Sequence, residues 1–372
     1  MLLGATAIVL AAVIAGIAIV ALIGRAPTRP PASASAPPPS YPALRIPGAY
    51  LIIPRDRLMS LPMSGPAWQA LVAVAGEDLG KPDLTDQDDK HGVKTLAVAL
   101  VYARTGDTSY RDKAHAAIMS VIGTERVGAD NSILALGRQL GSYVLAANLI
   151  GLSGPDDQRF RAWLSGIRTE ELGGHGRWTQ LVGTHQDSPN NWGAFAGASR
   201  IAADLYLGDT SDLQQAALVL RGFLGDRQAW SSWQPVGESA SWACDPETYT
   251  PINPPCTLSG IDVDGAIVRD VSRGGDLGWP PGRDGILYTN EALQGLVVQA
   301  ELIQAAGGDP WSWSDRALLR AANLLTRANG WNASPIDDHL PWIFNARYGL
   351  HLPTQPAEYG RLFGYTDWLD GP

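Results

Sequence analysis

Three times along this chain an apolar segment with helical periodicity runs into a Gly-Asp pair, and a second such segment follows within a few residues. The first spans Val93 to Arg104, turns at Gly106-Asp107 and resumes from Tyr110 to Ile122. The second runs from Trp192 to Tyr206, turns at Gly208-Asp209 and continues from Leu213 to Phe223; the third runs from Tyr288 to Ala306, turns at Gly308-Asp309 and continues from Ser314 to Arg327. Apolar residues three and four apart mark helices with one buried face. Glycine ends a helix at little cost because it accepts a positive φ, and Asp, Ser or Thr caps the next helix by accepting its free amide protons. A further pair, Ser132 to Leu149 and Asp156 to Ile167, is broken by Gly154-Pro155, and an earlier helix follows Pro66 with Trp68, Leu71, Val72 and Ala75 at helical spacing. Helical hairpins in series cannot each bury a face alone, so they stack side by side, as an open solenoid or closed into a toroid. Strand-like alternation is scarce, and the fold class expected is all-α dominated.

Ahead of the hairpins lie two segments of another kind. Residues 1–24 hold an uncharged run, Leu2 to Gly24, long enough to cross about 30 Å of hydrocarbon as a helix. No Lys or Arg precedes it, and Ala32-Ser33-Ala34-Ser35-Ala36 lies too far downstream for a cleavage site, so it reads as a membrane anchor or uncleaved signal. Residues 25–43 are mostly Pro, Ala and Ser and read as a stalk; residues 44–372 carry the folded domain. Arg25 and Arg29 follow the anchor, which by the positive-inside rule places the domain in the cytoplasm. Cys244 and Cys256 argue the other way. They are the only cysteines and flank a Pro-rich loop, which suits a local disulfide in an oxidising compartment and an extracytoplasmic, cell-surface domain. Two unpaired thiols are the alternative; a zinc set lacks its third and fourth ligands nearby.

The 372 residues carry 28 Lys+Arg against 37 Asp+Glu, a net charge of −9 with no basic run, so nucleic acid is not an expected partner. A few arginines in a cleft can still dominate the local field. Two constellations offer such chemistry. His185-Gln186-Asp187-Ser188-Pro189-Asn190-Asn191-Trp192-Gly193 leads into an apolar helix. Asn190 or Asn191 can simply cap that helix, or their amides can donate to a bound carboxylate at its positive end. Arg273-Gly274-Gly275-Asp276-Leu277-Gly278-Trp279 and then Arg283 precede Tyr288. Arg283 can bind a carboxylate in bidentate fashion or pair with a local Asp. Tyr288 can fill core or transfer a proton, its ordinary pKa of about 10 requiring a neighbouring cation.

Asn190-Asn191-Trp192-Gly193 entering a helix, the Arg-bearing Gly loop, then Tyr288 with Ala292, Leu293, Glu301 and Gly308-Asp309-Pro310-Trp311 together resemble the alginate-lyase-type polysaccharide lyases. The closing stretch Trp342 to Gly349 is similar to that family's C-terminal Asn-x-x-Tyr segment. The resemblance covers residues 60 to 370 and implies an (α/α) toroid and β-elimination at a uronic acid. The substrate carboxylate must be neutralised before C5 gives up its proton, a task that falls to Asn191, Arg283 and His185. Tyr288 becomes the acid, or acid and base together when the leaving groups are syn. Asn190, Trp192, Arg273 and Trp279 are expected to bind substrate, an anionic polysaccharide, and no cofactor is implied. The chain departs from the pattern where relatives carry His after the Asn pair and before the Tyr; His175 and His185 are the nearest substitutes.

Two rival readings remain. A glycoside hydrolase on the same helices requires paired carboxylates, with Glu238, Asp264, Asp276, Asp284 and Glu291 as candidates. An inactive glycan-binding surface protein would use Trp230, Trp233, Trp242 and Trp279 to hold a polymer. No phosphate-binding loop, nucleotide fingerprint, serine nucleophile elbow or His-x-x-x-His site occurs.

Overall fold

Asp107, Asn190 and Asp209 cap the helices that follow them with their side chains, and Gly106, Gly208 and Gly330 end the helices before them in the left-handed region. A computed structural model describes residues 40–48, 50–126, 132–172, 178–233, 237–331, 340–356 and 361–371, all within one compact unit. The apolar run of residues 1–24, nearly all of the Pro-rich stalk, His175 and His339 lie outside the described residues. The helices are α1 (Arg55–Ser60), α2 (Pro66–Gly76), α3 (His91–Thr105), α4 (Thr108–Ser120), α5 (Ser132–Ile150), α6 (Gly154–Ile167), α7 (Leu181–Asp187), α8 (Asn191–Leu207), α9 (Thr210–Leu224), α10 (Val268–Val271), α11 (Arg283–Ala305), α12 (Trp313–Asn329), α13 (Leu340–Tyr348) and α14 (Thr366–Leu369). One two-stranded antiparallel ribbon, Thr257–Leu258 with Ile261–Asp262, is the only sheet among the described residues. The all-α expectation holds.

Two of the three Gly-Asp turns do what the sequence predicts. Gly106 and Gly208 close α3 and α8 at φ of 77°, while Asp107 and Asp209 accept the amides of Ser109 and Asp212 to start α4 and α9. The third differs. The left-handed residue is Gly307, at φ of 93°, and Gly308 instead packs against Ile303 and Leu44. Helix α11 also starts five residues earlier than its apolar pattern suggests, because its first two residues, Arg283 and Asp284, are exposed and polar and add nothing to that pattern.

Helices α3, α5, α8 and α11 lie side by side in that order, with α4, α9 and α12 packed outside α3, α8 and α11 respectively. The inner helices are buried nearly all round; every residue of α8 from Asn191 to Tyr206 is buried. Within α5, Ile133–Ile150 is apolar and long enough to cross a membrane, yet it is almost wholly enclosed by the protein, as a core helix would be. At the end of the row, α11 touches α13, α13 touches α14, and α14 touches α2, which lies on α3.

Small residues set the spacing of the inner row. A Cβ added to Gly295 on α11 would sit 2.4 Å from the carbonyl carbon of Ala194 on α8. One added to Gly137 on α5 would sit 3.0 Å from the amide nitrogen of Ala196, on the other flank of α8. Backbone touches backbone on both sides, so neither neighbour can yield by turning a side chain. Gly295→Ala is therefore expected to cost about 3 kcal/mol or more, beyond the usual range for an overpacked core. Gly183→Ala on α7, where the new methyl meets only Gln180 at 3.8 Å, is expected to be neutral or mildly stabilising. Urea midpoints of the two variants measure the contrast, and equal midpoints would show that the helices are not in such contact.

Candidate functional site

The level at which Gly137, Ala194 and Gly295 meet is also the floor of a polar cleft. Arg138 follows Gly137 on α5; Asn191 lies one turn before Ala194 on α8, and Glu291 one turn before Gly295 on α11. Close helices let these side chains join: Asn191 Nδ2 donates to Glu291 Oε2 at 2.9 Å, and Arg138 Nη2 donates to the same oxygen at 2.7 Å. Arg361 Nη1 completes the set, donating to Glu291 Oε1 at 3.1 Å, while its Nη2 reaches Asp88 at 3.2 Å. Arg361 belongs to a C-terminal segment pinned by Ser142 Oγ on the Leu362 carbonyl and by Tyr365 and Trp368 on the carbonyls of Val93 and Pro62.

The cleft above this network measures about 410 Å³ and is lined by Asp88, Arg138, Asn191, Trp192, Arg273, Tyr288, Glu291 and Arg361, among others. Tyr288 stands three residues before Glu291 on α11 and so shares its face. The guanidinium of Arg273 lies over the Tyr288 ring, 4.2 Å from its centroid, and forms no ion pair among the described residues. Three arginines face two carboxylates here, which makes the lining locally positive in a chain of net charge −9. Burial is the main influence on Arg138, ahead of repulsion by Arg361, and lowers its pKa to about 10, so it stays charged at neutral pH.

Tyr288, Asn191, Trp192 and Arg273 are thus brought together as the sequence suggested. Asn190 lines a neighbouring cavity and not this cleft, and its side chain is a cap: Oδ1 accepts the Trp192 amide at 3.1 Å and the Ser188 hydroxyl at 2.6 Å. Three assignments are corrected. Arg283 is an exposed first-turn residue of α11 and does not line the cleft. Five helical residues place it about 140° round the axis from Tyr288. The loop folds back so tightly, with Gly274 against Gly282, that Arg273 takes the position beside Tyr288. His185 is buried under α8, with Arg200 Nη1 at 3.3 Å from its Nδ1 and Gln299 beside it. Burial first and Arg200 second hold its pKa well below 6.5; it is neutral and sealed from the cleft. Trp279, 40% exposed, lines a separate groove with Gly260, Ile261, Asp262 and Arg327.

Other expected ligand contacts are structural as well. Trp233 and Trp242 are buried, and the indole nitrogens of Trp230 and Trp233 both donate to the Gln186 carbonyl. In the closing segment, Asn345 exchanges hydrogen bonds with Leu352 and Tyr348 donates to the Trp311 carbonyl. Cys244 and Cys256 form a disulfide, their Cα atoms 6.1 Å apart. No group of three or more potential metal ligands occurs among the described residues.

Arg138, Arg361 and Asp88 were not anticipated. Arg138 had a signal, a lone cation inside an apolar helix, since a buried arginine is rare unless paired. Arg361 and Asp88 had none, because only the fold brings them near. No protein-family model matches the chain, and no curated protein matches it.

Beneath the cleft, Asp270 on α10 is fully buried and accepts the Asn191 amide at 3.2 Å, at the start of α8; its other oxygen has no hydrogen-bond partner among the described residues. Burial raises its pKa from the usual 3.8 to about 8. The folded protein then keeps a proton that the unfolded chain releases, so stability falls as pH rises from about 4 and levels off above about 8. Asp270→Asn keeps an oxygen for the Asn191 amide and removes the titration. The variant-minus-wild-type difference in melting temperature is expected to grow in the variant's favour across that window. A flat difference would show that Asp270 ionises in the folded protein without penalty.

Proposed function

We propose that the cleft cleaves a uronic-acid-containing polysaccharide by β-elimination. The observation that carries this reading is the placing of the Tyr288 phenol beneath the Arg273 guanidinium in a locally positive cleft, beside the Asn191 amide. A uronate carboxylate set against Arg273 and Asn191 has its charge offset, which is what makes the C5 proton removable. That proton passes to the Tyr288 oxygen, which acts as a phenolate after its own proton has gone to solvent. The C5–H electrons form the C4=C5 double bond, the C4–O4 bond breaks, and the proton is returned to O4, leaving the tyrosine as it began. Arg273 is the charge placed to offset the negative charge of that phenolate before it takes the C5 proton and after it returns the proton to O4. A single residue serving both steps requires the two leaving groups to be syn. No histidine lines the cleft among the described residues, and this supports giving both steps to Tyr288.

Glu291 and its two arginines are then scaffold. They hold Asn191 in place and leave the carboxylate fully engaged, which weakens the hydrolase reading, since a hydrolase needs two carboxylates free to act on the bond and on water. The contact sequence from α2 through α11 and back by α13 and α14 supports an incomplete (α/α) toroid with the cleft on one rim. The disulfide favours an extracytoplasmic domain held to a membrane by the N-terminal run. An acidic-glycan-binding protein without turnover is the alternative.

Tyr288→Phe is expected to lower turnover of a polyuronate by about 10²- to 10⁴-fold while leaving affinity within about twofold. The ultraviolet absorbance of the unsaturated uronate product follows the reaction. Unchanged turnover would remove Tyr288 from the mechanism, and saturated reducing ends in place of unsaturated ones would replace elimination by hydrolysis.

A further inference from the structure

Beyond Arg273 the cleft does not end. A second cavity of about 420 Å³ is lined by Trp178, Asn190, Gly237, Ser239, Arg269, Ser272 and Arg273, and Arg273 is its common wall with the Tyr288 cleft. Arg269 on α10 and Arg273 just after it are four residues apart, so one short helical stretch presents both to the cavity. Neither forms an ion pair among the described residues, although this chain pairs many other arginines with carboxylates, including Arg138, Arg168, Arg200, Arg320, Arg347 and Arg361. The guanidinium of Arg269 lies 5.8 Å from the centroid of Trp178, which is itself packed at 5.7 Å against Trp192 of the first cleft. An indole face beside an uncompensated cation suits a sugar ring that carries a negative group: the ring lies on the aromatic surface and the anion meets the guanidinium.

We infer that this cavity is a second anion subsite of the same groove, in which Arg269 and Trp178 hold the carboxylate or sulfate ester of a sugar next to the one at Tyr288. The inference rests on the proposed glycan-binding role of the cleft and adds that the ligand carries charge on two neighbouring residues. Arg269 does not line the Tyr288 cleft, so its removal leaves the reacting sugar's own contacts in place.

The test uses the full chain and its Arg269→Gln variant, with calorimetric binding to uronate oligosaccharides of one to four residues and to sulfated oligosaccharides of the same lengths. Product absorbance is read in parallel. Wild-type protein is expected to bind two-residue and longer ligands at least about tenfold more tightly than single residues, and Arg269→Gln to lose that increment while binding single residues unchanged. Uronate oligomers that are bound and cleaved with no dependence on Arg269 would overturn the subsite and leave the lyase reading standing. Arg269-dependent binding of sulfated ligands alone, with no elimination, would keep the subsite and overturn the uronate reading. Binding of neither series would overturn both.

Discussion

The contact of α8 with its two neighbours through backbone is the constraint on which the rest of the molecule depends. Helices separated by large side chains stand 8 to 10 Å apart. Here Gly137 and Gly295 remove the intervening methyl groups, so α5 and α11 close on α8 from both sides. That closeness lets a short side chain such as Asn191 reach Glu291 on the next helix, and lets Arg138 reach it from the other flank. A site built on three rigid helices is set more tightly than one built on loops. The same small residues that leave α8 without bulk therefore position the polar groups at its end.

How far the sequence discloses this differs by level. Hairpins such as α3–α4 and α8–α9 are legible because their signals are local: an apolar period, a glycine able to turn left-handed, an acid to cap the next helix. Asn191 and Trp192 are legible because they sit at a helix start that the pattern marks, and Tyr288 because the apolar period of α11 begins there, although the helix itself starts five residues earlier. Arg273 and Arg283 are harder to separate. Both stand in one Gly-rich loop, and only the fold of that loop, with Gly274 against Gly282, decides which arginine meets the tyrosine. His185 misleads for a related reason: its neighbours in sequence are polar and loop-like, but α7 turns it beneath α8 against Arg200. Arg361, some seventy residues from Glu291, could not be read at all, since its position depends on the docking of the C-terminal segment on α2, α3 and α5.

Burying Arg138 and Arg361 against one glutamate is an expensive way to stabilise a fold. Desolvation of such charges commonly offsets their attraction, and an apolar trio of similar volume is often as stable. The network earns its place by position instead. Glu291 has oxygens enough for two guanidinium groups and the Asn191 amide, so it fixes the orientation of a residue that a cap or a solvent-facing Asn would leave free. Asp88, well exposed, tempers the outer arginine without filling the cleft.

The stretch between α9 and α11 shows why a long irregular excursion can nonetheless carry fixed charges. Asn253 is its hub: its side chain donates to the carbonyls of Trp242 and Val263 and accepts the Cys244 amide, while the Cys244–Cys256 disulfide closes the loop around it. Trp242 is buried and donates to the Gly275 carbonyl, and Gly265 packs directly on the backbone of α12 at Arg320. Tied at these points, the excursion offers α10 and the turn after it as a firm platform, and Arg269 and Arg273 project from that platform without carboxylate ion pairs among the described residues. In a chain whose total charge is negative, two such cations beside the arginines of the first cleft focus a local positive field along one groove. That field is set by an irregular segment pinned against helices, and it attracts anions in general.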